Sequence, residues 1–390
     1  MNRVVVTGIG LISALGDSPE DSWRRLIVGE CGIKQRQIFP ELQSLPLGLI
    51  GDSPAQLKNL TQQVVISALQ DASLVPPLPD CGIVIGSSRS YQAELERMAK
   101  GMYGNFPPSP HPPIPPSPHL PLLSSLPHMN AIAAAQLVGA TGIVLAPMAA
   151  CATGIWALFQ GFNLIKSGRC ERVVAGAVEA PITPLTIAGF DKMGALAKTG
   201  AYPFDVNREG LVLGEGGAVF VLESAELAHR RGAKIYGEIL DFGLTSDAYH
   251  PNQPHPEGKG AISAVKDCLD RAHISPEDID YIHAHGTATQ MNDRAESLVI
   301  QKLFDKRVAV SSTKGSTGHT VGASGALGVA FTLMSFKHQI LPPCVGLQKS
   351  EFDLNLVRKA CQIDIERAMC FSFGFGGQNA VVVLSNQNGI

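Results

Sequence analysis

Charge is scarce in this chain and close to balanced. Only 17% of its 390 residues are charged, and 31 basic against 34 acidic residues leave a net −3. That excludes a global electrostatic case for nucleic acid or for an anionic membrane surface, so any acidic partner has to meet a local basic patch. No apolar run is long enough to span a bilayer. The eight cysteines (Cys31, Cys81, Cys151, Cys170, Cys268, Cys344, Cys361, Cys370) include no C-x-x-C pair, and a reducing cytosol is the natural compartment for such usage. The opening Met1-Asn-Arg-Val-Val-Val-Thr-Gly-Ile-Gly10 lacks a cleavage-type ending and reads as a strand and turn rather than a leader. It also lacks the third glycine of a dinucleotide fingerprint, so nucleotide binding is discounted.

What is present is a chain that can bury a large core. Hydrophobic residues make up 45%, and the length allows two domains or one duplicated unit. The pattern predicts a strand over Val4–Thr7 closed by a turn at Gly8-x-Gly10, a helix from Ser18-Pro19 to about Val28, and a second from Ser53-Pro54 through Leu69. Cys81–Gly86 and Gly142–Pro147 read as buried strands. Residues 101–128 hold a large share of the 27 prolines and read as an exposed loop over an entrance, neither helix nor inner strand. The histidines there (His111, His119, His128) have no spacing that would converge them on a metal. Strand and helix then alternate, and a "Pro-Met-Ala-Ala-Cys151-Ala-Thr-Gly" passage in the first half is echoed by "Gly-Ser-Thr-Gly-His319-Thr-Val-Gly-Ala-Ser-Gly" in the second. Such alternation implies parallel sheets covered by helices. A duplicated α/β architecture follows, divided at 1–233 and 234–390, with the site between the halves.

The chain is organised around Cys151. The thiol sits where an apolar run passes into the helical spacing of Ile155, Leu158, Phe159, Phe162 and Ile165. At a helix start it meets free N–H groups and the positive end of the dipole, which favour thiolate. Small neighbours (Ala149, Ala150, Ala152, Gly154) leave room for a substrate carbonyl. The competing reading is a buried core cysteine.

Two histidines occupy strand ends beside glycine: His285 in His-Ala-His285-Gly-Thr287-Ala-Thr289, and His319 in Lys314-Gly-Ser-Thr-Gly-His319. Ligands of α/β folds gather at strand ends, and a neutral imidazole can donate an N–H to an oxyanion. The turn Gly374-Phe375-Gly376-Gly377 can present a backbone N–H to a substrate oxygen. A metal held by Cys151 and the two histidines is the competitor, but no fourth ligand stands at zinc-like spacing.

Taken together, these residues resemble the elongating β-ketoacyl-acyl-carrier-protein synthases of the thiolase superfamily. The resemblance runs from Val4-Val-Val-Thr-Gly-Ile-Gly-Leu-Ile-Ser through Pro203-Phe-Asp-Val-Asn-Arg208-Glu-Gly-Leu-Val-Leu-Gly-Glu215-Gly and Ser246-Asp-Ala-Tyr-His250 to Gly374-Phe-Gly-Gly-Gln-Asn. It implies a five-layered α/β/α/β/α fold, a homodimer in the cytoplasm, no cofactor, and acyl carrier protein as partner. Cys151 would carry the acyl group, with the N–H groups of Cys151 and Phe375 as oxyanion donors, while His285 and His319 hold the enolate left when malonyl-carrier protein loses CO2. Thr287 and Thr289 match pantetheine-binding residues, Lys314 the lysine behind the second histidine, Phe375 a gating phenylalanine and Phe190 a wall of the acyl tunnel. Gly374 and Gly376 belong to the substrate-binding turn.

Four positions depart from the family pattern. Gly328 stands where the family carries a glutamate paired with the lysine, which leaves Glu296 as the candidate partner of Lys314. The carrier-docking cluster is reduced to Lys58, with Gly194 at a second basic position and Lys192 nearby. Arg89 replaces an apolar residue that limits chain length, so that either the loop has moved or the acyl pocket is short or polar, and the proline-rich loop replaces a pocket-covering segment. These departures tilt the pathway from ordinary fatty acid elongation toward a specialised lipid or polyketide. They also keep open a non-catalytic partner like the chain-length factors of polyketide systems, although those lack the cysteine that this chain keeps.

Overall fold

The computed structural model describes residues 2–103 and 121–386. Among them, eleven strands form one mixed sheet: β1 (Val4–Ser13), β2 (Gly82–Gly86), β3 (Val144–Leu145), β4 (Arg172–Glu179), β5 (Gly216–Ser224), β6 (Gly237–Ser246), β7 (Tyr281–His283), β8 (Ala309–Ser311), β9 (Asn355–Leu356), β10 (Arg367–Gly374) and β11 (Gln378–Ser385). The order across the sheet is β9-β8-β7-β10-β11-β6-β1-β5-β4-β2-β3. Outward from the middle, β1-β5-β4-β2-β3 and β6-β11-β10-β7-β8 show the same sequence of pairings, two antiparallel and then two parallel. The two sets join where β1 runs antiparallel to β6, with Val4 opposite Ile239. One topology is therefore used twice.

Around the sheet pack α1 (Pro19–Ile27), α2 (Leu57–Asp71), α3 (Met129–Val138), α4 (Thr153–Lys166), α5 (Pro184–Lys192), α6 (Lys259–Ala272), α7 (Gln290–Leu303) and α8 (Ser324–His338). α2 and α3 cover the outer face of the first set of strands, α6 and α7 that of the second. α4 and α8 lie in the core between the sets. Every residue from Ser324 to Phe336 is buried, as a helix enclosed on all sides requires.

The sequence expectations hold for α1, whose Ser18 side chain accepts from Asp21 N, and for β2 and α4. Others are corrected. Gly8-x-Gly10 is not a turn: β1 runs straight through it, and the glycines instead let α2 approach, because a Cβ at Gly10 would stand 2.0 Å from Val64 O. Helix α2 begins at Leu57 rather than at Ser53-Pro54. The run Gly142–Pro147 supplies only two strand residues, half-buried, because β3 is the last strand of the sheet. Residues 104–120 of the proline-rich stretch lie outside the described residues. Its flanks depart from the loop expectation, with a helix ending at Tyr103 and a helical turn at Pro121–Ser124, where proline at the first position sacrifices no intrahelical bond.

The close approach of α2 to β1 gives a test. Gly10→Ala should destabilise the protein by about 3 kcal/mol through overpacking, read as a lower midpoint in a thermal scan. An unchanged midpoint would contradict this packing.

Candidate active site

The strand ends of the two halves deliver the site. Cys151 lies between β3 and α4, His285 two residues beyond β7, and His319 between β8 and α8, the counterpart of the Cys151 position. Three non-glycine residues nearby hold left-handed backbone: Ala150 (φ +48), Ala288 (φ +65) and Val321 (φ +41). Such conformations cost roughly 1–3 kcal/mol each and persist where surrounding packing enforces them.

One ligand atom from each of Cys151, His285 and His319 falls within 4.8 Å of the others. All three residues are buried, and the two imidazoles meet edge to face with centroids 5.2 Å apart. They open onto a cleft that Phe190, Thr287, Thr289, Gly374 and Phe375 also line. The Phe190 and Phe375 rings are 5.9 Å apart, and the Thr287 and Thr289 hydroxyls 2.9 Å. The expected substrate-binding Gly376 is not part of the lining. It is exposed, and its N–H is taken by Pro251 O at 2.7 Å.

The protonation states differ from the sequence expectation at the cysteine. Burial pushes the Cys151 thiol up to about 11, although the Lys314 charge and the Phe375 N–H both pull it down. Desolvation therefore outweighs that charge and that N–H, and the resting group is a thiol. The imidazoles are neutral as expected, since burial first and Lys314 second hold His285 and His319 well below the ordinary histidine value. Neither Nδ1 has a hydrogen-bond partner among the described residues, so the fold leaves the tautomer to be set by what binds. A dication could use the same three ligands, but the buried Lys314 ammonium opposes a second positive charge there.

Lys314 and Glu296 are not the ion pair that the sequence suggested. Lys314 Nζ donates to His285 O, while the Glu296 carboxylate accepts from His285 N at 2.6 Å and Gly286 N at 2.7 Å. The two groups grip opposite ends of the His285 residue. A longer side chain at Gly328 is excluded, because a Cβ there would stand 2.7 Å from Cys370 Sγ and 2.8 Å from His283 Nδ1.

Residues 53–228 match the β-ketoacyl synthase N-terminal domain, and residues 236–348 the β-ketoacyl synthase C-terminal domain. The chain belongs to the β-ketoacyl synthase family. It is 34% identical to 3-oxoacyl-[acyl-carrier-protein] synthase 2 of Staphylococcus aureus, over 98% of this chain and 97% of that one. A Schizosaccharomyces pombe protein named as a mitochondrial 3-oxoacyl-[acyl-carrier-protein] synthase is also 34% identical, over 97% of this chain and 98% of its own. Among solved structures, a ketosynthase complex with its type II polyketide acyl-carrier protein, bound to the hexaketide, superposes with a TM-score of 0.92 at 27% identity, covering 99% of both chains. The fold is thus the duplicated, five-layered thiolase type.

Sequence reasoning missed Asp293, which holds the same loop of this β-ketoacyl synthase. Its carboxylate accepts from Phe204 N at 2.8 Å and Ala288 N at 3.2 Å. The signal was present: Thr289 caps α7 through Asn292 N, which places Asp293 and Glu296 one turn apart on its inner face. Burial raises Asp293 to about 6 and Glu296 to about 7. The Cys151 carbonyl is likewise held, accepting from Ser372 Oγ at 2.9 Å.

Because the folded values of His285 and His319 lie below the unfolded one, their contribution to stability is present above about pH 6.5 and lost as pH falls below it. In nitrogen NMR of histidine-labelled protein, both rings should remain neutral at pH 6. A charged ring at that pH would contradict the electrostatics described. Glu296→Gln replaces one of two acceptor oxygens by a donor, and should cost about 1–3 kcal/mol of folding stability with a fall in turnover. Unchanged stability and turnover would remove Glu296 from its anchoring role.

Proposed function

We propose that this chain is a 3-oxoacyl-[acyl-carrier-protein] synthase, in which Cys151 receives an acyl group and passes it to a malonyl-derived carbanion. The observation that carries this reading is one thiol meeting two neutral imidazoles in an open cleft. In the first half-reaction Sγ attacks the acyl thioester and the carrier leaves as its free thiol, taking the proton. The donors for the tetrahedral oxyanion are the N–H groups of Cys151 and Phe375, and the latter already reaches the cysteine. In the second, malonyl-carrier protein loses CO2 and leaves an enolate, to which His285 and His319 offer N–H groups worth about 3 kcal/mol each. The enolate carbon attacks the acyl-cysteine, a carbon–carbon bond forms, and the thiol is released. Electron pairs move without net oxidation, so the chemistry calls for no redox cofactor.

Thr287 and Thr289 are positioned along the cleft for a pantetheine arm. A second copy of the chain is the proposed partner at β3, whose outer edge ends the sheet beside Met148, 54% exposed. All eight cysteines are free, which suits a reducing compartment. No helix among the described residues is long and apolar enough to cross a membrane.

Intact-protein mass spectrometry after incubation with acyl-carrier proteins should show an acyl adduct on Cys151 that malonyl-carrier protein discharges as a β-ketoacyl product. Cys151→Ala should abolish the adduct while leaving malonyl decarboxylation, which depends on the histidines. An adduct persisting in Cys151→Ala would overturn the nucleophile assignment. Failure of every carrier to load a thiol that still alkylates would favour the non-catalytic partner role.

A further inference from the structure

We propose that His283 is a positioning residue of this site: bonded to Thr313 and seated in the space that Gly328 clears, its imidazole holds the turn that brings Lys314 to His285. The proposal rests on the reading of Cys151 as the reacting group and adds a residue that tunes it. His283 is the last residue of β7, two before His285, in register with Ser311 of β8 and Cys370 of β10. Its ring meets a neighbour through each nitrogen. Nε2 is 3.2 Å from Thr313 Oγ1, and Nδ1 is 3.9 Å from Cys370 Sγ. On the α8 side a Cβ at Gly328 would stand 2.8 Å from Nδ1, so a larger residue there would displace the imidazole.

The imidazole is the sole hydrogen-bond partner of the Thr313 hydroxyl among the described residues, and both residues are buried. Neither group can turn to water instead, so the contact fixes both. Thr313 heads the turn that carries Lys314. Its carbonyl accepts from Ser316 N at 2.9 Å and Thr317 N at 3.1 Å, and the Lys314 ammonium donates to the His285 carbonyl. The chain of contacts therefore closes on itself: His283 to Thr313, along the backbone to Lys314, across to His285, and back through Ala284. The same strand ends are also tied from Ala284 N to Ser311 O (2.8 Å) and from Ser312 Oγ to Gly286 O (2.9 Å), so they stay joined when the imidazole is replaced.

The ring does this without charge, since burial first and Lys314 second hold it down to about 3. A cation in its place would repel the ammonium. The titratable groups acting on that ammonium are Glu296 and Asp293 of α7, Cys370 of β10 and Cys151, and His285 and His319 feel it in turn. Cys151 also feels Arg89 and Glu179, which the substitutions below leave untouched. An ammonium that slips from its place draws the Cys151 thiol down less, and the thiolate fraction falls.

The test is the rate at which iodoacetamide alkylates Cys151 in the full chain between about pH 7 and 9, followed on the Cys151 peptide by mass spectrometry. Below the thiol's midpoint this rate rises about tenfold per pH unit, so a weaker pull reads as a parallel displacement. His283→Asn has no nitrogen that reaches Thr313, and should slow alkylation about three- to tenfold at every pH. His283→Gln returns an amide to the Nε2 position and should recover most of the rate. Thr313→Val removes the bond from its other end and should match His283→Asn, so the result does not depend on one variant folding. Wild-type rates in His283→Asn and Thr313→Val, even with lowered thermal midpoints, would make His283 a packing residue and overturn the proposal. Slowing in His283→Gln as large as in His283→Asn would do the same. The probe needs no carrier: failure of every acyl-carrier protein to load a thiol that responds in this way overturns the condensing reading and leaves the role of His283 standing.

Discussion

The site depends on a lysine and a glutamate buried on either side of one residue, each pushed by that burial toward its neutral form. Lys314 and Glu296 are both withdrawn from water, at a cost of several kcal/mol per ion. What offsets that cost is geometry: the ammonium is bonded to the His285 carbonyl, and the carboxylate to the N–H groups of His285 and Gly286. His285 is therefore fixed at both its amide and its carbonyl before any substrate arrives. Burial holds both site imidazoles neutral, the same ammonium adds to that effect, and it draws the Cys151 thiol down from where burial alone would put it. One cation thus bears on three groups whose protonation burial decides first, and the fold has to tolerate it.

Tolerance comes from the duplication. Because the same topology occurs twice, the cysteine loop and its counterpart with His319 follow corresponding strands, β3 and β8, and head the two core helices, α4 and α8. Those helix starts touch closely, since a Cβ at Gly154 would stand 2.5 Å from Ala326 N. A larger residue at that point would push Cys151 from His319. Gly328, one turn along α8, clears space for His283 and Cys370 under the same loop. The glycines here are spacing devices for side chains that belong to other segments.

That also explains which features were legible in the sequence. Cys151, His285 and His319 were, because a chemically active residue type set among alanines or beside glycine between a strand and a helix is a local pattern, and three such patterns in order are specific. The duplicated α/β architecture was legible from the alternation of strand and helix. The purpose of Gly8 and Gly10 was not, because the backbone they accommodate is that of α2, more than fifty residues away. Gly376 was misjudged for a related reason: only the folded loop shows that Pro251 already takes its N–H. The link between Lys314 and Glu296 was half right. Adjacency to the His285 loop identified both residues, but whether they meet each other or the backbone between them is a matter of reach that spacing does not encode.

The cysteine's protonation state is the sharper lesson, since the local argument from the helix end left desolvation out. Desolvation is a property of everything packed around the sulfur, and here it prevails. A thiol at about 11 is ionised in a small fraction of molecules at neutral pH, a penalty of about 5 kcal/mol. Two backbone donors on the oxyanion, at about 3 kcal/mol each, are of the size needed to offset it, but only once a thioester carbonyl occupies the cleft. The arrangement therefore couples the thiol's reactivity to the presence of its substrate. A permanently ionised cysteine at the same position would react with any electrophile that diffused in, whereas a neutral thiol beside two neutral imidazoles is activated by the intermediate that the site is built to hold.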